Sequence, residues 1–292
     1  MPADEFDVVI LGGGSGGYAC ALRCTQLGLS VALVEKDKLG GTCLHRGCIP
    51  TKALLHAAEV AETARHGSAI GVHATLDSID MGAVVNYQQG VVGRLFKGLQ
   101  GLVAHAGVTM VEGEGRLLDA HRVGVGDRVL TGRNVVLATG SYAKSLPGLA
   151  IEGRIMTSDQ ALGLDQVPAR VVVLGGGVIG VEFASVLRSF GAEVTIVEAL
   201  PRLVAAEDPS LSTALERAFK KRKITVRTGV RFAGATQEGD VVKVDLEGAD
   251  PIEADLLLVA VGRGPVTEGL GYEEAGVTLD RGYVVADERC RT

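Results

Sequence analysis

At 292 residues the chain is long enough for two domains with cores of their own, and 47% apolar against 22% charged residues excludes general disorder. A formal net charge of −6 argues against a general nucleic-acid or membrane-surface binder, and six phenylalanines, five tyrosines and no tryptophan make a poor base-stacking surface. Glycine stands out at 41 positions, about twice the usual roughly 7%, with no collagen-like period, so the excess is expected in turns and ligand loops.

The chain opens on an acidic stretch, Met1 to Asp7, and its first cation is Arg23, which no secretory signal resembles. The longest uncharged stretch, Val8 to Leu22, holds five glycines and is too short to span a bilayer. A soluble cytoplasmic protein is expected, one in which cysteines 20, 24, 43, 48 and 290 form no structural framework, so that any disulfide would be a working one.

Val8–Leu11 reads as a strand, Gly12-Gly13-Gly14-Ser15-Gly16-Gly17 as a tight turn opening a helix, and Glu35 as the end of a second strand. The pattern returns 163 positions later: the run Val171–Leu174, then Gly175, Gly177 and Gly180, then Glu198, with the acid again 23 residues after the first glycine. Gly28 matches Gly191 at the same offset. Each residue type has a task. The first glycine makes the turn, the second admits a pyrophosphate close to the backbone, and the third lets helix pack on strand. The helix N-terminus faces the phosphates, and the acid can accept from ribose hydroxyls. Two complete copies predict two Rossmann-like dinucleotide-binding domains in tandem, an α/β fold. Glu198 repels a 2′-phosphate and the nearest cation is Arg202, so the second site is expected to prefer NAD to NADP.

After Glu35 comes Gly40-Gly41-Thr42-Cys43-Leu44-His45-Arg46-Gly47-Cys48-Ile49-Pro50-Thr51-Lys52. Two cysteines five apart in a regular helix would have Cα atoms roughly 8 Å apart, too far for a disulfide. Gly47 could relax the backbone between them, and Pro50 suits the start of the next helix. A strained disulfide there would be easily reduced, with His45 and Arg46 adding positive charge nearby. The alternatives are two small buried residues or half of a metal site, the latter without a visible second pair of ligands. No metal is expected. Cys20 and Cys24 read as core-facing residues one helical turn apart, and Cys290 carries no assigned role.

Farther on, Thr51–Arg65 reads as a helix, and Met81–Ala106 as another with an apolar stripe at Val84, Tyr87, Val91, Leu95, Leu99 and Leu102, weakened by glycines 90, 93, 98 and 101. Strand-like runs follow at 108–111, 123–125 and 135–138, the last entering Thr139-Gly140. In the second half they recur at 241–246 and 256–261, the latter ending at Gly262. A helix over 211–219 ends in Lys220-Lys221-Arg222-Lys223, expected to be a solvated terminus.

The segment Gly40–Leu55 resembles the active-site stretch of flavin-dependent disulfide oxidoreductases, and within them most resembles the dihydrolipoamide dehydrogenases of 2-oxo-acid dehydrogenase complexes. Gly175–Glu182, Ala138-Thr139-Gly140 and Val261-Gly262-Arg263 also match, while His45 and Thr51 depart from the usual Asn and Ser. The resemblance implies FAD held through Gly12, Gly14, Gly17 and Glu35 with Thr139 and Gly140, and NAD held through Gly175, Gly177, Gly180, Glu198 and Gly262. Cys43 would meet the dithiol substrate, Cys48 would face the flavin, and Lys52 would pair with Glu182 beside it. Electrons would pass from dihydrolipoamide through the two thiols to FAD and on to NAD⁺. The implied partners are a lipoyl domain of a 2-oxo-acid dehydrogenase complex or a glycine-cleavage lipoyl carrier, and a second copy of the chain.

The resemblance divides the chain into residues 1–148 with FAD and the thiols, 149–266 with NAD, and 267–292 as the start of a return segment. Family members continue past this length into a dimerisation domain that carries a catalytic His with a Glu five residues on. Histidines 45, 56, 66, 73, 105 and 121 have no such Glu. A truncated chain lacking that domain is therefore expected. Related disulfide reductases (mercuric or glutathione reductase-like) and a nucleotide-binding fragment without turnover are the other readings.

Overall fold

The computed structural model describes residues 4–292, so the first three residues of the acidic opening stretch lie outside it. In chain order the elements are β1 (Asp4–Leu11), α1 (Ser15–Gln26), β2 (Val31–Glu35), α2 (Gly41–Arg46), α3 (Cys48–His66), α4 (Met81–His105), β3 (Thr109–Glu112), β4 (Gly115–Leu117), β5 (Arg122–Val125), β6 (Arg128–Leu137) and β7 (Ser141–Ala143). They continue with β8 (Ile155–Thr157), α5 (Ser158–Ala161), β9 (Arg170–Leu174), α6 (Val178–Phe190), β10 (Glu193–Glu198), α7 (Pro209–Lys221), β11 (Thr225–Thr228), β12 (Phe232–Glu238), β13 (Val241–Leu246), β14 (Ala249–Ala254), β15 (Leu256–Val259), β16 (Arg263–Pro265), β17 (Leu279–Asp280) and β18 (Tyr283–Val284). Among the described residues no helix is long and apolar enough to cross a membrane.

The chain forms two compact units. The first takes in the chain up to Cys48, Val92–Tyr142 and Gly264–Thr292, and the second takes in Ile49–Val91 and Ala143–Arg263. These groupings differ from a linear cut at 148 and 266. Leu54 and Ala58 of α3 and Met81 of α4 are buried in one cluster with Val181, Phe183 and Ala184 of α6, so apolar burial gathers 49–91 into the second unit. Leu270 and Tyr272 are buried with Val9, Val34 and Leu130, which brings the end of the chain into the first.

The first unit is built on a six-stranded sheet in the order β3-β2-β1-β6-β5-β4. Its central strands are parallel, with Val8 opposite Val31 and Leu11 opposite Leu137. Both faces of β1 and β2 are covered, which is why Val8–Leu11 and Val31–Val34 are unbroken apolar runs and not alternating ones. The second unit has a parallel sheet in the order β11-β10-β9-β15-β8 and a separate antiparallel sheet β12-β13-β14. In each sheet the second βαβ strand lies to one side of the first and the closing strand to the other. That puts a topological switch point at the C-terminal end of β1 and of β9, where a glycine turn follows.

One helical face differs from its sequence pattern. α4 survives its four glycines over 25 residues, but it buries Met81, Gln88, Val92 and Val103, while Tyr87, Leu95 and Leu102 are 44%, 47% and 52% exposed. The predicted stripe is thus split: Val84 and Leu99 pack against core clusters, while Tyr87, Leu95 and Leu102 face outward. Gln88 is fully buried, and neither atom of its amide has a hydrogen-bond partner. The polar residue in that row hid the packed face from a hydropathy reading.

Candidate functional site

The two glycine turns are built alike at their first and third glycines. Gly12 and Gly175 have φ of 107° and 111°, a region that L side chains rarely enter. A Cβ on either would also fall 2.3 Å from a carbonyl oxygen of the closing strand's exit, Ala138 or Ala260. Gly17 and Gly180 lie against the turn itself, where a Cβ would come within 1.8 Å of the Gly12 oxygen and 2.0 Å of the Gly175 oxygen. The middle glycines are different. A Cβ on Gly177 would meet no protein atom within 4 Å, and one on Gly14 only the Gly41 Cα at 3.9 Å. The first and third glycines are required by the protein's own packing. The second leaves a concavity at a helix N-terminus, with backbone N–H groups and the positive dipole end turned to it, as a pyrophosphate needs.

The acids close both turns the same way. Glu35 accepts from the Gly13 N–H at 2.7 Å and the Asp37 N–H at 2.9 Å. Glu198 accepts from the Gly176 N–H at 2.6 Å and the Leu200 N–H at 2.7 Å. Each carboxylate is therefore oriented by its own loop, with further lone pairs left for a ligand hydroxyl.

In the second unit a cleft of about 860 Å³ opens over the turn, lined by Gly175, Gly177, Glu198, Glu207, Val261 and Gly262 among others. That volume falls in the range of cofactor sites. Arg202, the nearest cation in sequence, is turned into the loop, where its guanidinium donates to the carbonyls of Ala205 and Glu207 and to Ser212 Oγ. It is spent on loop structure, and the cleft's lining sets Glu198, Glu207 and Glu247 against one cation, Arg231, a net negative balance. Gly262, at φ 112°, adds no side chain to the floor. The residues present fit a dinucleotide.

In the first unit the thiol segment is fastened to the first turn. Gly40 donates its N–H to the Gly13 carbonyl at 2.8 Å, Gly14 and Gly40 form an isolated parallel bridge, and a Cβ on Gly41 would fall 2.7 Å from the Gly14 Cα. Glycines 40 and 41 are what let the two loops touch. Cys43 lies on the short α2 that this contact starts, half-buried, and Cys48 opens α3, exposed. The helix breaks at Gly47, so the regular-helix spacing that would hold the thiols apart does not apply. A Cβ there would press within 3.1 Å of the Thr42 oxygen.

The expected cationic surroundings are only partly present. Arg46 pairs with Asp37 at 2.5 Å, so its charge is largely balanced. The His45 ring meets the Leu39 carbonyl at 2.9 Å and packs edge-on against Phe96. Neither Asp37 nor Phe96 stands out in the sequence as a partner. In the second unit Lys52 Nζ lies 2.6 Å from Glu182 Oε1, linking α3 to α6, with side chains 58% and 29% exposed.

Thr139 follows the closing strand of the first unit, and its hydroxyl is already engaged. It donates to the Val266 carbonyl at 2.6 Å and lies 2.9 Å from the hydroxyl of Tyr272, which is 1% exposed. Its contribution to a site is therefore positional, holding 264–272 beside the turn. Gly140, at φ 77°, accepts the Val266 N–H. Tyr272 belongs to no periodic pattern, and burial pushes its phenol above the ordinary value. On α1, Cys20 and Cys24 are half-buried with sulfurs 3.9 Å apart, and burial followed by the neighbouring thiol pushes Cys20 up to about 11. No group of three or more His, Cys, Asp or Glu suited to a metal occurs among the described residues.

Known proteins resemble this chain in sequence and fold. A dihydrolipoyl dehydrogenase of Chlorobaculum parvum is 42% identical over 99% of the chain and 64% of its own length, and one of Bacillus subtilis is 38% identical over 99% and 65%. The crystal structure of LpdA from Mycobacterium tuberculosis superposes with a TM-score of 0.88 at 26% identity, covering 98% of this chain and 64% of that one. The HOCl-induced flavoprotein disulfide reductase RclA of Escherichia coli does so at 0.83 and 28%, covering 97% and 62%. The chain thus spans less than two thirds of the length of these relatives. A model of the pyridine nucleotide-disulphide oxidoreductases matches residues 6–292, and the chain belongs to that family of flavoprotein disulfide oxidoreductases, which use FAD and NAD(P).

Proposed function

We propose that the chain carries the nucleotide and thiol sites of an NAD-dependent dihydrolipoamide dehydrogenase. The observation that carries this reading is the fastening of the thiol segment onto the first glycine turn through Gly13, Gly14, Gly40 and Gly41. The segment that carries Cys43 thus starts at the first glycine turn, which supports a route for electrons from thiol to cofactor. The names of the curated relatives and the intact Lys52–Glu182 pair support it.

Residues 1–148 would hold FAD through Gly12, Gly14, Gly17 and Glu35, with Gly140 open beside them and Thr139 bracing the turn. Residues 149–266 would hold NAD through Gly175, Gly177, Gly180, Glu198 and Gly262, and 267–292 would begin the return to the first site. When bound, FAD supplies the two-electron carrier between thiols and nicotinamide. The chain's own part is thiol exchange. A substrate thiolate attacks Cys43 Sγ of a Cys43–Cys48 disulfide, and Cys48 leaves as thiolate. The second substrate thiol then displaces Cys43, so the substrate gains one S–S bond and the cysteines hold two electrons. The ammonium of Lys52, neutralised by Glu182, keeps a fixed charge one turn beyond Cys48 on α3. Glu198 accepts from ribose hydroxyls and disfavours a 2′-phosphate. The substrate would be a lipoyl arm on a carrier domain, the working form a homodimer, and the location the cytoplasm, where the pair stays reducible.

The test is steady-state turnover of the FAD-loaded protein. Cys43→Ser is expected to cut dihydrolipoamide:NAD⁺ turnover at least about 100-fold while NADH-dependent dye reduction continues. Substantial turnover that is equal in wild type and variant would overturn the thiol assignment. Better use of NADPH than NADH would overturn the choice of nucleotide.

A further inference from the structure

The second unit has a concave site outside the glycine turn. Three helices end at it: α3 at Arg65 and His66, α6 at Arg188 and Gly191, and α7 at Lys221, Arg222 and Lys223. They enclose a cleft of about 420 Å³ that also includes Glu62. The expected solvated terminus is therefore only half right, because Arg222 is turned inward. Its guanidinium donates to Ser185 Oγ at 2.6 Å, the Ser185 carbonyl at 3.0 Å and Ser189 Oγ at 2.6 Å, and lies 4.0 Å from Glu62. Arg188 donates to the carbonyls of Arg222 and Ala192, and Arg65 to that of Ser189. The arginines thus satisfy the helix-end carbonyls and are fixed in place by doing so.

That structural role does not use up the charge. Three helix ends contribute roughly −0.5 each, and Glu62 one negative charge, against five Lys and Arg side chains. About two and a half positive charges are left over, on a protein whose net charge is −6. A second, independent feature points the same way. At the ends of α1, α4 and α6 the left-handed residue that closes the helix is glycine: Gly28, Gly107 and Gly191. At the end of α7, with the same pair of closing bonds, that residue is Lys223 at φ 59°. A lysine there costs backbone energy that glycine would avoid, and Lys223 is one of the residues lining the cleft.

We propose that this cleft is a binding site for a small polyphosphate, whose oxygens would pair with Lys221, Lys223 and the remaining N–H donors of the fixed guanidiniums. Arginine forks and lysine point charges are the groups that suit phosphate oxygens, and a concave site of this volume suits a small molecule over a protein face. The site lies at the opposite end of α6 from the nucleotide turn, about 20 Å away along a 13-residue helix.

Calorimetric titration with inorganic tripolyphosphate at about 0.15 M salt, a screening strength that suppresses loose ion pairing, tests this. With the glycine turns first saturated with FAD and NAD⁺, saturable binding to one site is expected, weakened at least about tenfold by Lys221→Glu with Lys223→Glu. Lys223→Gly separates binding from folding. It is expected to raise the melting temperature of the free protein by a few degrees, because it relieves the backbone, yet to weaken tripolyphosphate roughly threefold or more. Displacement of tripolyphosphate by ATP would identify a nucleotide as the source of the phosphates, and failure to displace it an inorganic chain. Binding unchanged in both variants would put the anion at the glycine turns or elsewhere and overturn the proposal. So would the absence of saturable binding, which would leave the basic residues as neutralisers of helix ends.

Discussion

The two glycine turns start from the same plan and end with different surroundings. In both, positive φ at the first glycine, close packing at the third and a doubly hydrogen-bonded acid recur within a few tenths of an ångström. What differs is the chain that follows the acid. After Glu35, glycines 40 and 41 bring the thiol segment onto the turn. After Glu198, a loop tied down by Arg202 borders an open cleft of about 860 Å³. The strands differ too: β4 and β5 extend the first sheet, whereas β12–β14 form a sheet of their own. A duplicated turn can thus be given different surroundings without being altered. One copy is covered by the cysteine-bearing segment and the other borders an open cleft.

If the turns are equivalent, matched substitutions should behave alike. Gly17→Ala and Gly180→Ala each drive a Cβ to 2.0 Å or less from a carbonyl oxygen, and each is expected to destabilise its unit by roughly 2–4 kcal/mol in thermal unfolding. Gly177→Ala should leave stability within about 1 kcal/mol of wild type, since nothing lies within 4 Å of the new Cβ, and should weaken nucleotide binding. A Gly177→Ala protein as unstable as Gly180→Ala would show that the open side of the turn serves packing and not a ligand.

The acids should separate the turns by function. Glu198→Gln is expected to raise the ratio of NADP⁺ to NAD⁺ affinity by roughly tenfold, while Glu35→Gln leaves that ratio unchanged. An equal shift from both would remove the distinction between the sites. Tyr272 belongs to the first unit alone. Tyr272→Phe should cost about 1 kcal/mol at neutral pH through the lost contact with Thr139. Burial raises the phenol's pKa in the folded state, so its stabilisation is full below about pH 10 and is lost as pH rises beyond it. The alkaline fall in melting temperature should be shallower in the variant. The smallest effect is expected at Lys52→Met: the ion pair with Glu182 is more than half exposed on the lysine side and should contribute under about 1 kcal/mol to stability. A large loss of turnover from that substitution with little change in melting temperature would mark the pair as functional.

Much of this was legible beforehand, and for local reasons. The glycine spacing, the apolar strands and the acid at each strand end are imposed by geometry within about 25 residues, so their pattern survives in the sequence. α4 was legible as a helix but not in its orientation. Its packed row contains Gln88, while Tyr87, Leu95 and Leu102 face outward, and a hydropathy pattern follows residue size and not contact. Arg202 read as a cation near the cofactor-selecting acid, and Lys220–Lys223 as a free helix end. Both readings missed backbone carbonyls, supplied to Arg202 by the fold of its own loop and to Arg222 by the distant α6.

The sequence by itself determined that there are two glycine turns, two cysteines following the first, and an acid closing each strand, because covalent spacing and glycine's missing Cβ are what such turns are built on. Only the tertiary structure decided which charges are spent and which remain. Bonds within its own loop occupy Arg202, Asp37 balances the exposed Arg46, α6 turns Arg222 inward, Tyr272 meets Thr139, and Lys221 and Lys223 line a cleft that no single stretch of chain encodes.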